Sequence, residues 1–165
     1  MGSWREAFEG KKTTAANAVL EIKSGQRVLI GSGCSQPRGL VQAMTARGPK
    51  LRDVEISNLL AMGHSEFAET GLEDAFRLDS FFIGDSVRSA VREGRADYMP
   101  IFLSEIPELI RSGQRRIDVA LVTLSPPDRH GYCSLGINID IQLAAVESAR
   151  IIIAEINTNM PRTTG

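Results

Sequence analysis

The chain has 165 residues, 42% of them hydrophobic and 24% charged, proportions that fit one folded domain and exclude a fibrous or disordered segment. A formal net charge of −1 removes any general attraction to nucleic acid or an anionic membrane. No apolar run reaches the roughly 20 residues that cross a bilayer. The charged N-terminus (Arg5, Glu6, Lys11, Lys12) has no secretory core, and two cysteines make no disulfide framework, so a reduced, cytoplasmic setting is expected.

In chain order, helical spacing first predicts a helix over residues 14–24, with Ala16, Val19, Leu20 and Lys23 along one stripe and Gly25 as its stop. Six strand candidates follow: "RVLI" (27–30), "VEISNLL" (54–60), "SFFI" (80–83), "YMPIF" (98–102), "DVALVTL" (118–124) and "RIIIAEI" (150–156). They are near-continuously apolar rather than alternating, which suits a parallel sheet covered on both faces.

Helices with legible ends lie between them. Leu40, Ala43, Met44 and Arg47 share a face, stopped by Gly48 and Pro49. Asp85 is placed to cap a helix carrying Val87, Ala90 and Val91, ended by Gly94. Ser104 is placed to cap one carrying Ile106, Leu109 and Ile110, ended by Gly113. Ile141, Ala144, Ala145 and Ser148 form the last stripe. Alternating strands and helices predict right-handed βαβ units, hence an α/β fold with an open, mostly parallel sheet and helices on both faces. No repeat or linker divides residues 1–165.

Ligands of such sheets bind beyond the carboxyl ends of the strands. The turn "GSGCSQPRG" (31–39) lacks the third glycine of a dinucleotide loop, and the second strand offers no acid for a ribose. The lysine of a phosphate loop is missing too. Two readings stay open for the glycine pair: a turn chosen for positive φ, or a place where a ligand approaches the backbone near a helix N-terminus. Cys34 lacks the second glycine of a nucleophile elbow, although His64 and His130 fall in loops on the same face. The spacing of Cys34, Cys133, His64 and His130 matches no zinc pattern. The loop "LSPPDRHGYCSLG" (124–136) is stiffened by its prolines and carries Asp128, His130 and Ser134. It reads as a ligand-contacting loop or as an Ω-like surface loop. Glu155, in the last strand, is ambiguous alone.

The blocks "SGQRVLIGSGCSQPRGLVQAM", "FFIGDSVRSAVREGRADYMPIFLSEIPELIRSG", "DVALVTLSPPDRHGYCSLG" and "AAVESARIIIAEINTNMPRTTG" together resemble the N-terminal domain of the acetyl-CoA hydrolase/transferase family, whose members include 4-hydroxybutyrate, butyrate and succinyl-CoA:acetate CoA-transferases. The resemblance runs in order over nearly the whole chain. It implies a two-domain enzyme with similar α/β halves facing each other, and a C-terminal domain absent from this chain. A glutamate of that domain attacks the acyl-CoA thioester and carries CoA as a glutamyl thioester to a small carboxylate. Glu105, Glu147 and Glu155 are not expected to inherit that role, so no catalytic residue is expected here.

By the same resemblance, Gly31, Ser32, Gly33, Cys34, Pro37, Gly63, Ser125, Pro126, Pro127, His130, Gly131 and Ser134 would line the substrate side of the cleft. Backbone N–H groups near Gly33 would help hold a carboxylate. Acyl-CoA enters as substrate, with no permanently bound cofactor and no metal, and a homo-oligomer is expected. The rival readings are an acetyl-CoA hydrolase of the same family, a sugar-phosphate isomerase-like domain, and a non-catalytic ligand-binding domain. The isomerase would want more phosphate-clamping cations than Arg38 and Arg129.

Overall fold

A computed structural model of the chain describes residues 3–62 and 65–163. Six strands form one wholly parallel sheet in the order β4-β3-β2-β1-β5-β6: β1 Arg27–Ile30, β2 Val54–Asn58, β3 Phe76–Ser80, β4 Ala96–Tyr98, β5 Val119–Leu124 and β6 Ile151–Ile156. The helices are α1 Trp4–Lys11, α2 Ala15–Ala18, α3 Arg38–Thr45, α4 Arg88–Arg92, α5 Ile106–Arg111 and α6 Gln142–Ser148.

The pleat sorts side chains to two faces. Val28, Ile30, Val119 and Leu121 enter the front core with residues of α2, α3 and α4; Leu29, Ala120 and Val122 enter the back core under α5 and α6. Both faces of β1 and β5 are thus apolar, as their sequences predict. No helix among the described residues is long and apolar enough to cross a membrane.

Two strands differ from expectation. β3 lies at 76–80, before "SFFI", and β4 at 96–98, before "YMPIF". Both alternate: Phe76 and Leu78 are buried in front, while Arg77, Asp79 and Asp97 sit in the rows of Glu55 and Ser57 on the back. A search for continuously apolar runs passes over such strands. In "YMPIF", moreover, Pro100 has no N–H for a ladder.

That charged part of the back face is organised by Arg115. Its guanidinium bonds Ser57 Oγ at 3.0 Å, Asp79 at 2.6 Å and the Glu55 carboxylate. Burial pushes the Asp79 carboxyl up, and Arg115 draws it back down. Outside this cluster, Arg77 and Asp97 form a bidentate pair at 2.5 and 2.7 Å.

The helix ends bring further corrections. The expected 14–24 helix tightens after Ala18 into a 3₁₀ turn, Val19–Glu21. This rotation buries Val19 and Ile22 and leaves Leu20 half exposed, so the stripe is not 16-19-20-23. Asp85 pairs with Arg88 at 3.0 Å instead of capping α4. Ser104 lies inside a 3₁₀ turn, and Glu105 closes that end by accepting the Phe102 N–H at 3.3 Å. α1 has no buried residue, so no apolar stripe announces it; Ser3 and Glu6 cap it reciprocally.

Arg115→Met is expected to lower the unfolding free energy by about 3 kcal/mol, because two carboxylates lose their shared cation. Adding Asp79→Asn should restore part of the loss in urea melts. A single variant as stable as the parent would show that the cluster holds nothing together.

Candidate functional site

The strand order reverses at β1: β2, β3 and β4 add on one side, β5 and β6 on the other. The chain leaves β1 toward α3 in front and leaves β5 toward α6 behind, the point at which open α/β sheets place their ligands. The turn at 31–37 lies there and is held from three sides. Gly31 N–H donates to Leu121 O of β5, and Gly33 N–H to Leu60 O beyond β2, each at 2.8 Å. Asn138 Nδ2 donates to Ser32 O at 2.5 Å.

Two glycines are required. A Cβ on Gly31 would stand 2.8 Å from Gln142 Oε1 and 3.2 Å from Ser35 O, and Gly33 has φ +57°. Ser32 and Pro37 are buried, whereas Cys34 is exposed. The glycine pair thus serves a positive φ at Gly33 and a close approach of α6 to the backbone at Gly31. The N–H groups of Gly31, Gly33, Ser35 and Gln36 all have backbone acceptors. Gly33 N–H itself is thus engaged by Leu60 O.

Neighbouring tips join this turn. Ser86 Oγ donates to Ala61 O at 3.1 Å, and a Cβ on Gly84 would stand 3.1 Å from Leu60 Cδ1. Met62 presents an exposed side chain beside Gly33. Gly63 and His64 lie outside the described residues.

The loop 125–136 is ordered differently. Ser125 N–H donates to Ser134 O, and Ser134 N–H returns to Ser125 Oγ, both at 2.9 Å, which closes its neck. Thr163 Oγ1 donates to Gly136 O at 2.9 Å. Arg162 reaches Tyr132 O at 2.8 Å and Asp128 at 2.9 Å. Gly131, at φ +92°, faces the Trp4 ring, where a Cβ would come within 3.0 Å. Pro126 and Pro127 are half-buried, and exposed His130 accepts from Arg129 Nε at 2.9 Å. Among the described residues, these bonds run to residues 162–163, and only the loop's continuation at Asn138 reaches the glycine turn. No three His, Cys, Asp or Glu side chains among the described residues gather as a metal site.

Three residues escaped sequence reasoning: Asn138, Asp140 and Gln142. Asp140 Oδ1 accepts the N–H of Ile141 at 2.6 Å and of Gln142 at 3.2 Å, just ahead of α6. Burial pushes the Asp140 carboxyl up against those bonds. Gln142 Nε2 donates to Asn138 O at 2.9 Å. The signal was present as an acid just before an apolar stripe.

Buried polar atoms without a protein partner collect at this edge: Oγ of Ser32, Ser35 and Ser65, Oε1 of Gln36 and Gln142, Asn58 Oδ1 and Thr123 Oγ1. Each such atom costs about 1–3 kcal/mol unless it is satisfied. Stable cores avoid that cost, and functional edges tolerate it.

Asp128 offers a pH test of the long loop. The Tyr132 N–H above all, then those of His130 and the Arg162 charge, hold its carboxyl below the ordinary 3.8, although burial opposes them. A depressed folded value means that the carboxylate stabilises the loop above the unfolded value, and that this is lost as pH falls through the lower folded one. The His130 and Tyr132 amide resonances are expected to titrate together below 3.8; a midpoint at or above it would contradict the geometry.

Residues 2–165 match the acetyl-CoA hydrolase/transferase N-terminal domain. The chain is 40% identical over 162 residues to the 4-hydroxybutyrate coenzyme A transferase of Clostridium kluyveri, covering 98% of this chain and 38% of that protein. It is 39% identical over 146 residues to the succinyl-CoA:acetate/propanoyl-CoA:succinate CoA transferase of Fasciola hepatica, covering 87% and 30%. The crystal structure of RipA from Yersinia pestis superposes with a TM-score of 0.91 at 27% identity, over 99% of this chain and 40% of that one. The chain thus spans 30–40% of the length of such relatives. It belongs to the acetyl-CoA hydrolase/transferase family, of which it carries the N-terminal domain.

Proposed function

We propose that this domain forms the substrate-facing wall of a CoA-transferase, whose nucleophilic glutamate is supplied by a second, C-terminal α/β domain. The observation that carries the reading is the gathering of the β1, β2 and β3 exit turns, with Asn138 and Gln142, at the point where strand order reverses. The names of the relatives support the reaction class.

The chemistry balances without an added reagent. The glutamate carboxylate attacks the acyl-CoA carbonyl and expels CoA thiolate, leaving a mixed anhydride. The thiolate then attacks the glutamyl carbonyl and releases the first carboxylate, giving the glutamyl-CoA thioester. An acceptor carboxylate reverses both steps and leaves as the new acyl-CoA. The residues of this chain would hold the acyl group and keep out water, since water would turn transfer into hydrolysis. Exposed Met62, Ile137 and Ile139 offer apolar surface there, and the buried hydroxyls and amides offer polar contacts. The reading includes acyl-CoA and a small carboxylate as substrates, no resident cofactor, a cytoplasmic setting and self-association.

The full-length protein is expected to move CoA from acetyl-CoA to succinate, propionate or butyrate, and the purified 165-residue chain to move none. Turnover by the chain alone would sink the placement of the nucleophile. CoA release by the full-length protein that ignores added carboxylate would make it a hydrolase.

A further inference from the structure

Glu155 has no part in the proposed reaction. It stands on β6 level with Thr123 of β5, on the face where Ile151 and Ile153 pack into the front core. From there its side chain reaches the beginning of α3, where Oε2 accepts the Leu40 N–H at 3.2 Å, across 115 positions of chain.

α3 needs such an acceptor. The first N–H groups of a helix have no intrahelical carbonyl, and a Ser, Thr, Asp or Asn at the N-cap ordinarily takes the third. In α3 the N-cap is Pro37, which has no side-chain acceptor, and the first turn holds no acid. Leu40 is the third helical residue, so Glu155 makes from a distant strand the bond that the local sequence does not supply. Its charge also faces the positive end of the helix dipole. Gly39 leaves the room: a Cβ there would stand 2.8 Å from Glu155 Oε2.

We infer that Glu155 is a positioning residue, which ties the last strand to the start of α3 and thereby fixes the glycine turn. Only Gln36 and Pro37 separate the 3₁₀ turn Gly33–Ser35 from α3, so a shift of the helix start moves the turn. The geometric part stands alone. Its consequence for catalysis rests on the proposed reading that the turn lines the reacting site.

The test uses the full-length protein and Glu155→Ala, Glu155→Gln and Gly39→Ala. The first readout is the alkylation rate of exposed Cys34 by iodoacetamide, told apart from half-buried Cys133 by peptide mass mapping. The second is kcat and KM for CoA transfer, with a thermal melt to confirm folding. Losing one helix cap should change the Cys34 rate about fivefold in Glu155→Ala. A turn displaced at the reacting centre should lower kcat about tenfold while KM for acyl-CoA stays nearly constant. Gly39→Ala, which pushes the carboxylate away, should reproduce both effects. Glu155→Gln keeps an acceptor oxygen and should recover most of each.

A Cys34 rate unchanged in folded Glu155→Ala overturns the inference, as does Glu155→Gln behaving like Glu155→Ala. Should Glu155→Ala fail to fold, Gly39→Ala and Glu155→Gln decide by the same readouts. A changed Cys34 rate with unchanged kcat keeps the tie between β6 and α3, and instead removes the turn from the reacting site.

Discussion

The reversal of strand order at β1 is the constraint from which the other features follow. A parallel sheet sends every chain out at its carboxyl edge, and each crossover must choose a face. The connections after β1, β2 and β3 return over the front; those after β4 and β5 return over the back. Between β1 and β5 the two exits diverge, and the chain has to seal the gap with its own backbone. Gly31 makes this possible, because its missing side chain lets Gln142 come in from behind while its N–H still bonds Leu121.

The two faces of the sheet meet different demands. Around β1 and β5 both sides are buried by apolar residues, so the strands are stiff supports for the turns at their tips. Across β2, β3 and β4 the back face is held by Arg115, with Arg77 and Asp97 pairing nearer solvent. A charge network of this kind gains little net energy over apolar packing, but it penalises any rearrangement that leaves one member unpaired. The registration of β2 against β3 is thereby tied to the chain that enters β5, since Arg115 lies just ahead of that strand.

The carboxyl edge carries both polar and apolar groups. Buried hydroxyls and amides without partners sit beside exposed Met62, Ile137 and Ile139. The long loop does not close over them. Its neck is bonded internally, and its outer part is clamped by Trp4 and by the segment ending at Thr163. Trp4 of α1 and residues 162–163 thus hold one loop.

How much of this was legible depended on how local the cause was. Apolar runs over β1, β2, β5 and β6 announced a parallel sheet, and in β1 and β5 burial on both sides writes itself into nearly every residue. Turns rich in glycine and proline marked where a site should lie, and long ordered blocks identified the family. Strands β3 and β4 were displaced in the reading, since Arg77, Asp79 and Asp97 are balanced by groups distant in sequence. Asn138 and Gln142 stayed unnoticed because their partners, Ser32 and Gly31, lie more than a hundred positions away. For the same reason Glu155 could be called ambiguous: only folding brings it to Leu40. The sequence by itself determined the fold class, the family and where the glycine- and proline-rich turns fall. Tertiary structure decided which backbone groups those turns have already used and what holds them, because hydrogen bonds depend on proximity in space and composition does not record it.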